Sequence, residues 1–183
     1  MNLPNRITML RVFLIPFFVF FMLCGDMVPG AQYIAVGIFI AASLTDTLDG
    51  YLARKYNLVS NFGKFMDPLA DKLLVCSALI CFVSIPENPM PAWGVIVIIS
   101  REFIISGFRL VAADTGVVIA ASWWGKSKTI VQMLMSILLI VNFDGQVIDI
   151  IEYVFIYAAI ALTVISLLDY LWKNRRVLND GKM

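Results

Sequence analysis

Four aspartates, arranged as two pairs within 26 residues, are the side chains of this sequence best suited to chemistry. Asp46 and Asp49 are three positions apart, and Asp67 and Asp71 are four positions apart. On a helix, either spacing puts both carboxylates on one face, within about 60° of each other. Carboxylates at this density in an apolar chain repel one another and resist desolvation unless a cation neutralises them. The two pairs therefore predict a cation site.

The available ligands indicate which cation would bind. The chain contains no histidine, and no cysteine is close to the aspartates, so the ligands are all oxygen atoms, which favours Mg²⁺ or Mn²⁺ over zinc or copper. The alternative is that each aspartate is a solvated helix cap or the partner of a nearby base. Four bases are available for that role: Arg54, Lys55, Lys64 and Lys72. This alternative explains one aspartate more readily than four with this spacing.

The composition indicates that membrane helices position these residues. Apolar residues make up 61% of the chain and charged residues 15%, which exceeds the apolar share of ordinary soluble domains. About 20 apolar residues suffice for a helix to cross the bilayer. We predict an all-α integral membrane protein with a single domain, 1–183, and six transmembrane helices at about 10–28, 32–54, 65–85, 91–112, 123–142 and 147–171.

The basic residues predict the orientation of these helices. No Lys or Arg lies in the connections after the first, third and fifth spans. Basic residues near span ends stay cytoplasmic, so both termini and the aspartates are expected at the cytoplasmic face of the cell membrane. Asn2, Pro4 and Thr8 predict a short interfacial helix before the first span. The chain has no basic run dense enough to indicate a nucleic-acid partner.

The segment around the aspartates reads D-x2-D-G-x2-A-R-x8-G-x3-D-x3-D from Asp46 to Asp71. Every fixed position resembles the signature of the CDP-alcohol phosphatidyltransferase family. The resemblance implies that Asp46, Asp49, Asp67 and Asp71 hold two metal ions on a diphosphate, and that Asp71 is also the general base. It also implies CDP-diacylglycerol as donor and a homodimer. The residues expected to contact that donor, besides Asp49, are Asn5, Gly50, Ala53, Arg54, Ser60 and Gly63.

Charged residues within the fourth predicted span bear on the acceptor. Arg101 and Glu102 lie near its middle, and Arg109 follows two turns later. A buried arginine needs a partner or a wet cavity. One interpretation is an internal Arg101–Glu102 ion pair, and the other is a pocket for a phosphorylated acceptor, with Lys126 from the next span. These stretches resemble phosphatidylglycerophosphate synthases, which implies glycerol-3-phosphate as acceptor, bound through Arg101, Arg109 and Lys126.

Two other functions remain open from the sequence. Within the same family, the acceptor could be inositol phosphate, serine or phosphatidylglycerol. In a different class, intramembrane acids could form a cation pathway in a transporter. A transporter predicts acids spread through the bilayer, whereas these aspartates cluster at one predicted level, so the enzyme is favoured.

Overall fold

The computed structural model describes residues 3–55, 61–86, 88–114 and 122–175; within these ranges it gives only the backbone of residues 3–5, 26, 46–55, 61–68, 71, 111, 113 and 114. The described residues form six α-helices and no strand. In chain order the helices are α1 (Leu3–Leu23), α2 (Ala31–Lys55), α3 (Asn61–Ser84), α4 (Ala92–Asp114), α5 (Trp123–Val141) and α6 (Gln146–Lys173), with a 3₁₀ turn at Gly25–Met27. The all-helical prediction is confirmed.

Helices α1, α2 and α3, together with residues 136–143, form one compact unit. Helix α1 packs against both α2 and α3. Phe18 of α1 and Phe39 of α2 are both buried, and their ring centroids are 5.8 Å apart. Ala35 and Ala42 are buried on the same side of α2 as Phe39. Small residues at such positions let helix backbones approach closely, which is how membrane helices gain van der Waals contact.

Helices α4 and α6, together with α5 as far as residue 135, form the second compact unit. Helix α4 packs against α6, and Gly94 is a point of close approach. A Cβ atom at Gly94 would lie 2.7 Å from Cδ1 of Ile160. Ile98 of α4 and Ile156 of α6 are fully buried in the same unit.

Local backbone signals explain several helix ends. Gly30, directly before α2, has φ +76°, a conformation that side chains with a Cβ rarely adopt. Asn142 has φ +48° and its amide bonds to the Leu138 carbonyl at 3.0 Å, so it ends α5 in the left-handed conformation common at helix C-termini. Ser122 begins α5, because its Oγ accepts a hydrogen bond from the Gly125 amide at 3.2 Å.

Most helix bounds agree with the predicted spans to within one or two residues, with two larger differences. Helix α1 runs from Leu3 to Leu23 rather than from 10 to 28, and it is continuous through Thr8. The described structure therefore does not distinguish a separate short interfacial helix. Helix α3 begins at Asn61 rather than at 65, so Gly63 lies within the helix and not in a loop.

Three described helices are long and apolar enough to cross a membrane, namely α1 from Arg6, α5 and α6. Shorter apolar stretches occur at Ala31–Thr45 and Lys72–Ser84, which belong to α2 and α3. Large apolar side chains are exposed along these helices; Phe13 and Leu168, for example, are 68% and 62% exposed. Such surfaces are unfavourable in water and fit contact with lipid. The protein is a membrane protein.

Candidate active site

The four aspartates lie on two helices of the first compact unit. Asp46 and Asp49 are in the C-terminal part of α2, and Asp67 and Asp71 are in the N-terminal part of α3. Each pair thus lies within one continuous helix, so the two aspartates of a pair share a helix face, as predicted from their spacing. Along the helix axis, the first pair is separated by about 4.5 Å and the second by about 6 Å. The side chains of all four lie outside the described ones.

The donor chemistry of these positions fits a hard divalent cation. Four carboxylates on two helices of one unit offer oxygen ligands only, the type that Mg²⁺ and Mn²⁺ prefer. Among the side chains that the structure describes, no other group of three or more His, Cys, Asp or Glu could hold a metal ion. The aspartates therefore remain the candidate metal ligands.

The residues expected around the CDP moiety are also placed on helices, with one exception. Asn5 is in the first turn of α1, and Gly50, Ala53 and Arg54 follow Asp49 in the last two turns of α2. Gly63 is in the first turn of α3. Ser60 lies outside the described residues. The contacts expected of these side chains remain predictions.

The second compact unit contains a network of buried charged side chains at Arg101. Arg101 is only 8% exposed; its Nε donates a hydrogen bond to Ser166 Oγ of α6 at 3.1 Å, and its Nη1 lies 3.3 Å from Glu102 Oε1. Lys128 of α5, which is 1% exposed, donates to the same Glu102 oxygen. The internal ion pair considered from the sequence is therefore present. Arg101 and Lys128 thus share one oxygen atom of the Glu102 carboxylate.

The first turn of α5 approaches this network closely. Arg101 Nη2 would lie 3.4 Å from a Cβ atom at Gly125, which is a contact distance, so the guanidinium lies directly beside the backbone of this turn. The N-terminal end of a helix carries a partial positive charge. This end of α5 adds to the positive potential at Arg101.

Arg109 lies beside Tyr170 in the same unit. Its guanidinium carbon is 6.0 Å from the centroid of the Tyr170 ring, within range of a cation–π interaction. The Phe108 ring meets the same tyrosine edge-on at 6.0 Å, with an interplanar angle of 88°. Arg109 itself is exposed, and its charge is near enough to act on Arg101. The two arginines predicted to bind an anion are thus neighbours.

The third predicted basic residue is placed differently from Arg101. Lys126 is exposed, whereas Lys128 is buried and bonded to Glu102. Two positions apart on a helix, these lysines point about 160° away from each other. Lys128, Ser166 and Tyr170 were not among the residues predicted for the acceptor. A signal for Lys128 was present, because Gln132 and Ser136 continue its face at intervals of four and both are buried.

Comparison with known proteins identifies the family. The profile of the CDP-alcohol phosphatidyltransferase family matches residues 1–165. A Bacillus subtilis protein named CDP-diacylglycerol–glycerol-3-phosphate 3-phosphatidyltransferase is 47% identical, with 98% of each chain covered. Proteins of the same name are 40% identical in Haemophilus influenzae (98% of this chain and 97% of the relative covered) and 36% identical in Rickettsia bellii (92% and 93%).

The matched region contains helices α1 to α5 and most of α6, and with them all four aspartates and the basic residues of α4 and α5. Members of the family generally depend on divalent metal ions, in agreement with the oxygen ligands that the aspartates offer. The family profile matches most of the chain, and the Bacillus subtilis relative is 47% identical over nearly its whole length. The chain therefore belongs to the CDP-alcohol phosphatidyltransferase family.

Proposed function

We propose that this protein transfers the phosphatidyl group of CDP-diacylglycerol to sn-glycerol-3-phosphate, giving phosphatidylglycerophosphate and CMP in phospholipid biosynthesis. The observation that carries the proposal is the complete aspartate signature on α2 and α3 of a chain that matches the family over residues 1–165. Relatives that share nearly the whole chain are named for this reaction.

Asp46, Asp49, Asp67 and Asp71 are proposed to hold two divalent ions, Mg²⁺ or Mn²⁺. When bound, such ions neutralise the charge of a diphosphate and make its phosphorus more electrophilic. The residues near the aspartates are proposed to bind the CDP moiety. Gly50, Ala53 and Gly63 have little or no side chain where a ligand must approach. Arg54, Ser60 and Asn5 supply polar groups to it.

Asp71 is proposed to act as the general base. Its carboxylate accepts the proton of the 1-hydroxyl group of glycerol-3-phosphate while that oxygen forms a bond to the phosphorus that carries diacylglycerol. The bond from this phosphorus to the oxygen of CMP breaks, and CMP leaves with the electron pair. A carboxylate is a weak base for an alcohol, so proton acceptance must coincide with attack rather than precede it.

The acceptor's own phosphate is proposed to bind Arg101, Arg109 and Lys126. Arg109 is exposed and belongs to the same compact unit as Arg101, which supports this assignment. Phosphate recognition by arginine uses paired N–H donors, and it is stronger than a neutral hydrogen bond. Serine has no phosphate and phosphatidylglycerol has only a phosphodiester, whereas inositol phosphate carries a phosphate monoester like that of glycerol-3-phosphate.

For the membrane arrangement, we propose six transmembrane helices, a cytoplasmic active site and a homodimer in the cell membrane. The orientation is supported by the basic residues that flank the connections after α2 and α4, namely Arg54, Lys55, Lys64, Lys126 and Lys128. No Lys or Arg lies in or directly beside the connections after α1, α3 and α5. A lipid donor then enters from the bilayer and a soluble acceptor from the cytoplasm.

A panel of acceptors tests the proposed function. The purified protein in detergent micelles is supplied with CDP-diacylglycerol, Mg²⁺ and one of glycerol-3-phosphate, inositol phosphate, serine or phosphatidylglycerol, and CMP release is measured. Of the four acceptors, we expect only glycerol-3-phosphate to give fast CMP release. Faster release with any other acceptor would reassign the substrate, and release with none would reject the reaction.

Substitution of Arg109 tests the acceptor-binding assignment. Arg109→Ala is expected to raise the KM for glycerol-3-phosphate by about 10- to 100-fold, since a hydrogen bond to a charged group contributes about 1.5–3 kcal/mol. The KM for CDP-diacylglycerol should stay the same. Arg175→Ala is the matched control, because Arg175 also lies over an aromatic ring, Trp172, at 5.2 Å. Equal KM values for both variants would contradict the assignment.

A further inference from the structure

The side chain of Tyr170 is buried, including its hydroxyl oxygen. Tyr170 is 3% exposed, and its hydroxyl oxygen is a buried atom without a hydrogen-bond partner among the residues that the structure describes. A buried hydroxyl without a partner costs free energy, and tyrosine normally satisfies its O–H when the ring is buried. The described part of the chain supplies no partner for this hydroxyl, so the position can accommodate one from a ligand.

The ring of Tyr170 is held from two sides. Phe108 contacts it edge-on and Arg109 lies over its face. Ser166, one turn earlier on the same face of α6, accepts the hydrogen bond from Arg101. These contacts fix the ring, so the hydroxyl has little freedom to turn to another acceptor.

The charges near Tyr170 define the chemistry of the missing partner. Arg109 lies over the ring, and Arg101 is close enough for an electrostatic interaction with Tyr170. Glu102 is already engaged with both Arg101 and Lys128. Asp169, the next residue on α6, is paired with Lys173 at 2.7 Å. A hydroxyl donor in a unit that also carries these two guanidinium groups suits an anionic oxygen, and a phosphate offers several.

We infer that Tyr170 is an acceptor-binding residue whose hydroxyl donates a hydrogen bond to the phosphate of the acceptor, beside Arg101 and Arg109. This inference rests on the proposed function, since it assigns Tyr170 to the acceptor of that reaction. It makes Tyr170 a determinant of selectivity for phosphorylated acceptors, because an acceptor without a phosphate leaves the hydroxyl unpartnered. Tyr170 takes no part in proton transfer.

Tyr170→Phe tests the inference, because it removes the hydroxyl and keeps the ring that contacts Phe108 and Arg109. We expect the KM for glycerol-3-phosphate to rise about tenfold, with kcat and the KM for CDP-diacylglycerol within about twofold of wild type. A purely structural role would instead lower the melting temperature and kcat together. Tyr157→Phe is the matched control on α6, because Tyr157 is 55% exposed. An unchanged KM in Tyr170→Phe would overturn the inference.

A binding experiment separates this inference from the proposed function. The affinity of each protein for inorganic phosphate is measured by calorimetry in detergent micelles, without donor or turnover. Wild type is expected to bind phosphate about tenfold more tightly than Tyr170→Phe. Wild-type protein that makes no product from glycerol-3-phosphate but shows this difference would reject the proposed acceptor and keep Tyr170 in an anion site. Equal phosphate affinities would reject the role of Tyr170, whatever the acceptor.

Discussion

Asp71→Asn is expected to lower CMP release by at least about 10³-fold while leaving a folded protein. General-base catalysis contributes roughly 10²–10⁴-fold, and the substitution also removes a charge from the proposed metal ligands. Asparagine has nearly the same shape as aspartate, and position 71 lies within continuous helix, so the fold should tolerate it. The measurement is CMP release from CDP-diacylglycerol at saturating glycerol-3-phosphate and Mg²⁺, with circular dichroism to confirm the helix content.

Asp144→Asn is the matched control, because Asp144 is exposed in the connection between α5 and α6. It should have wild-type turnover. Turnover near wild type in Asp71→Asn would reject Asp71 as the base, although the other three aspartates could still bind metal. Loss of folded protein would be recognised by the helix content rather than mistaken for loss of catalysis.

Glu102→Gln is expected to give the largest loss of stability. Glu102 is the carboxylate shared by Arg101 and Lys128, whose side chains are 10% and 2% exposed. Removing one partner of a buried ion pair costs about 3–5 kcal/mol, and here the removed carboxylate serves two cations. At about 2–4 °C per kcal/mol for a chain of this length, we expect a melting temperature lower by roughly 6–20 °C in detergent micelles.

Two further variants test the cause of that loss. Lys128→Met removes one of those two cations, so the double variant Glu102→Gln/Lys128→Met should be more stable than the sum of the single losses by about 1 kcal/mol or more. Additive losses would contradict a shared ion pair. Asp169→Asn is the comparison, because its partner Lys173 is 61% exposed. Because this pair has one exposed member, it contributes less than a buried pair, so the melting temperature should fall less than in Glu102→Gln.

The helices could be predicted well from the sequence, because a segment that crosses the hydrocarbon layer must be apolar along its length. Apolar runs of about 20 residues form spans, and this rule located five of the six helices to within about four residues at each end. It misplaced α1, predicted at 10–28 and observed at Leu3–Leu23. Hydropathy reports where a segment is apolar, not where its backbone stops being helical. Met27 and Val28 extend the apolar run, although Gly25 has already begun a 3₁₀ turn.

The candidate site also contains residues that the sequence predicts and residues that it does not. The aspartates were recognisable because their spacing is local, and three or four positions on one helix already determine a shared face. The network around Arg101 and Glu102 could not be recognised from the sequence, because its other members, Lys128 and Ser166, lie on two other helices. Which of Lys126 and Lys128 lies beside Glu102 depends on the rotation of α5 about its axis. The buried polar face through Gln132 and Ser136 would have given that rotation, since polar residues of membrane helices face the protein interior.

The proposed donor residues and acceptor residues belong to different compact units, the first carrying the aspartates on α2 and α3 and the second carrying Arg101, Arg109 and Tyr170 on α4 and α6. On this assignment, the machinery that breaks the phosphoanhydride bond and the groups that choose the incoming alcohol are encoded in separate stretches of the gene. Mutations that alter one need not disturb the other. A new headgroup specificity could therefore evolve by exchanging side chains on α4 and α6 while the aspartate signature stays untouched.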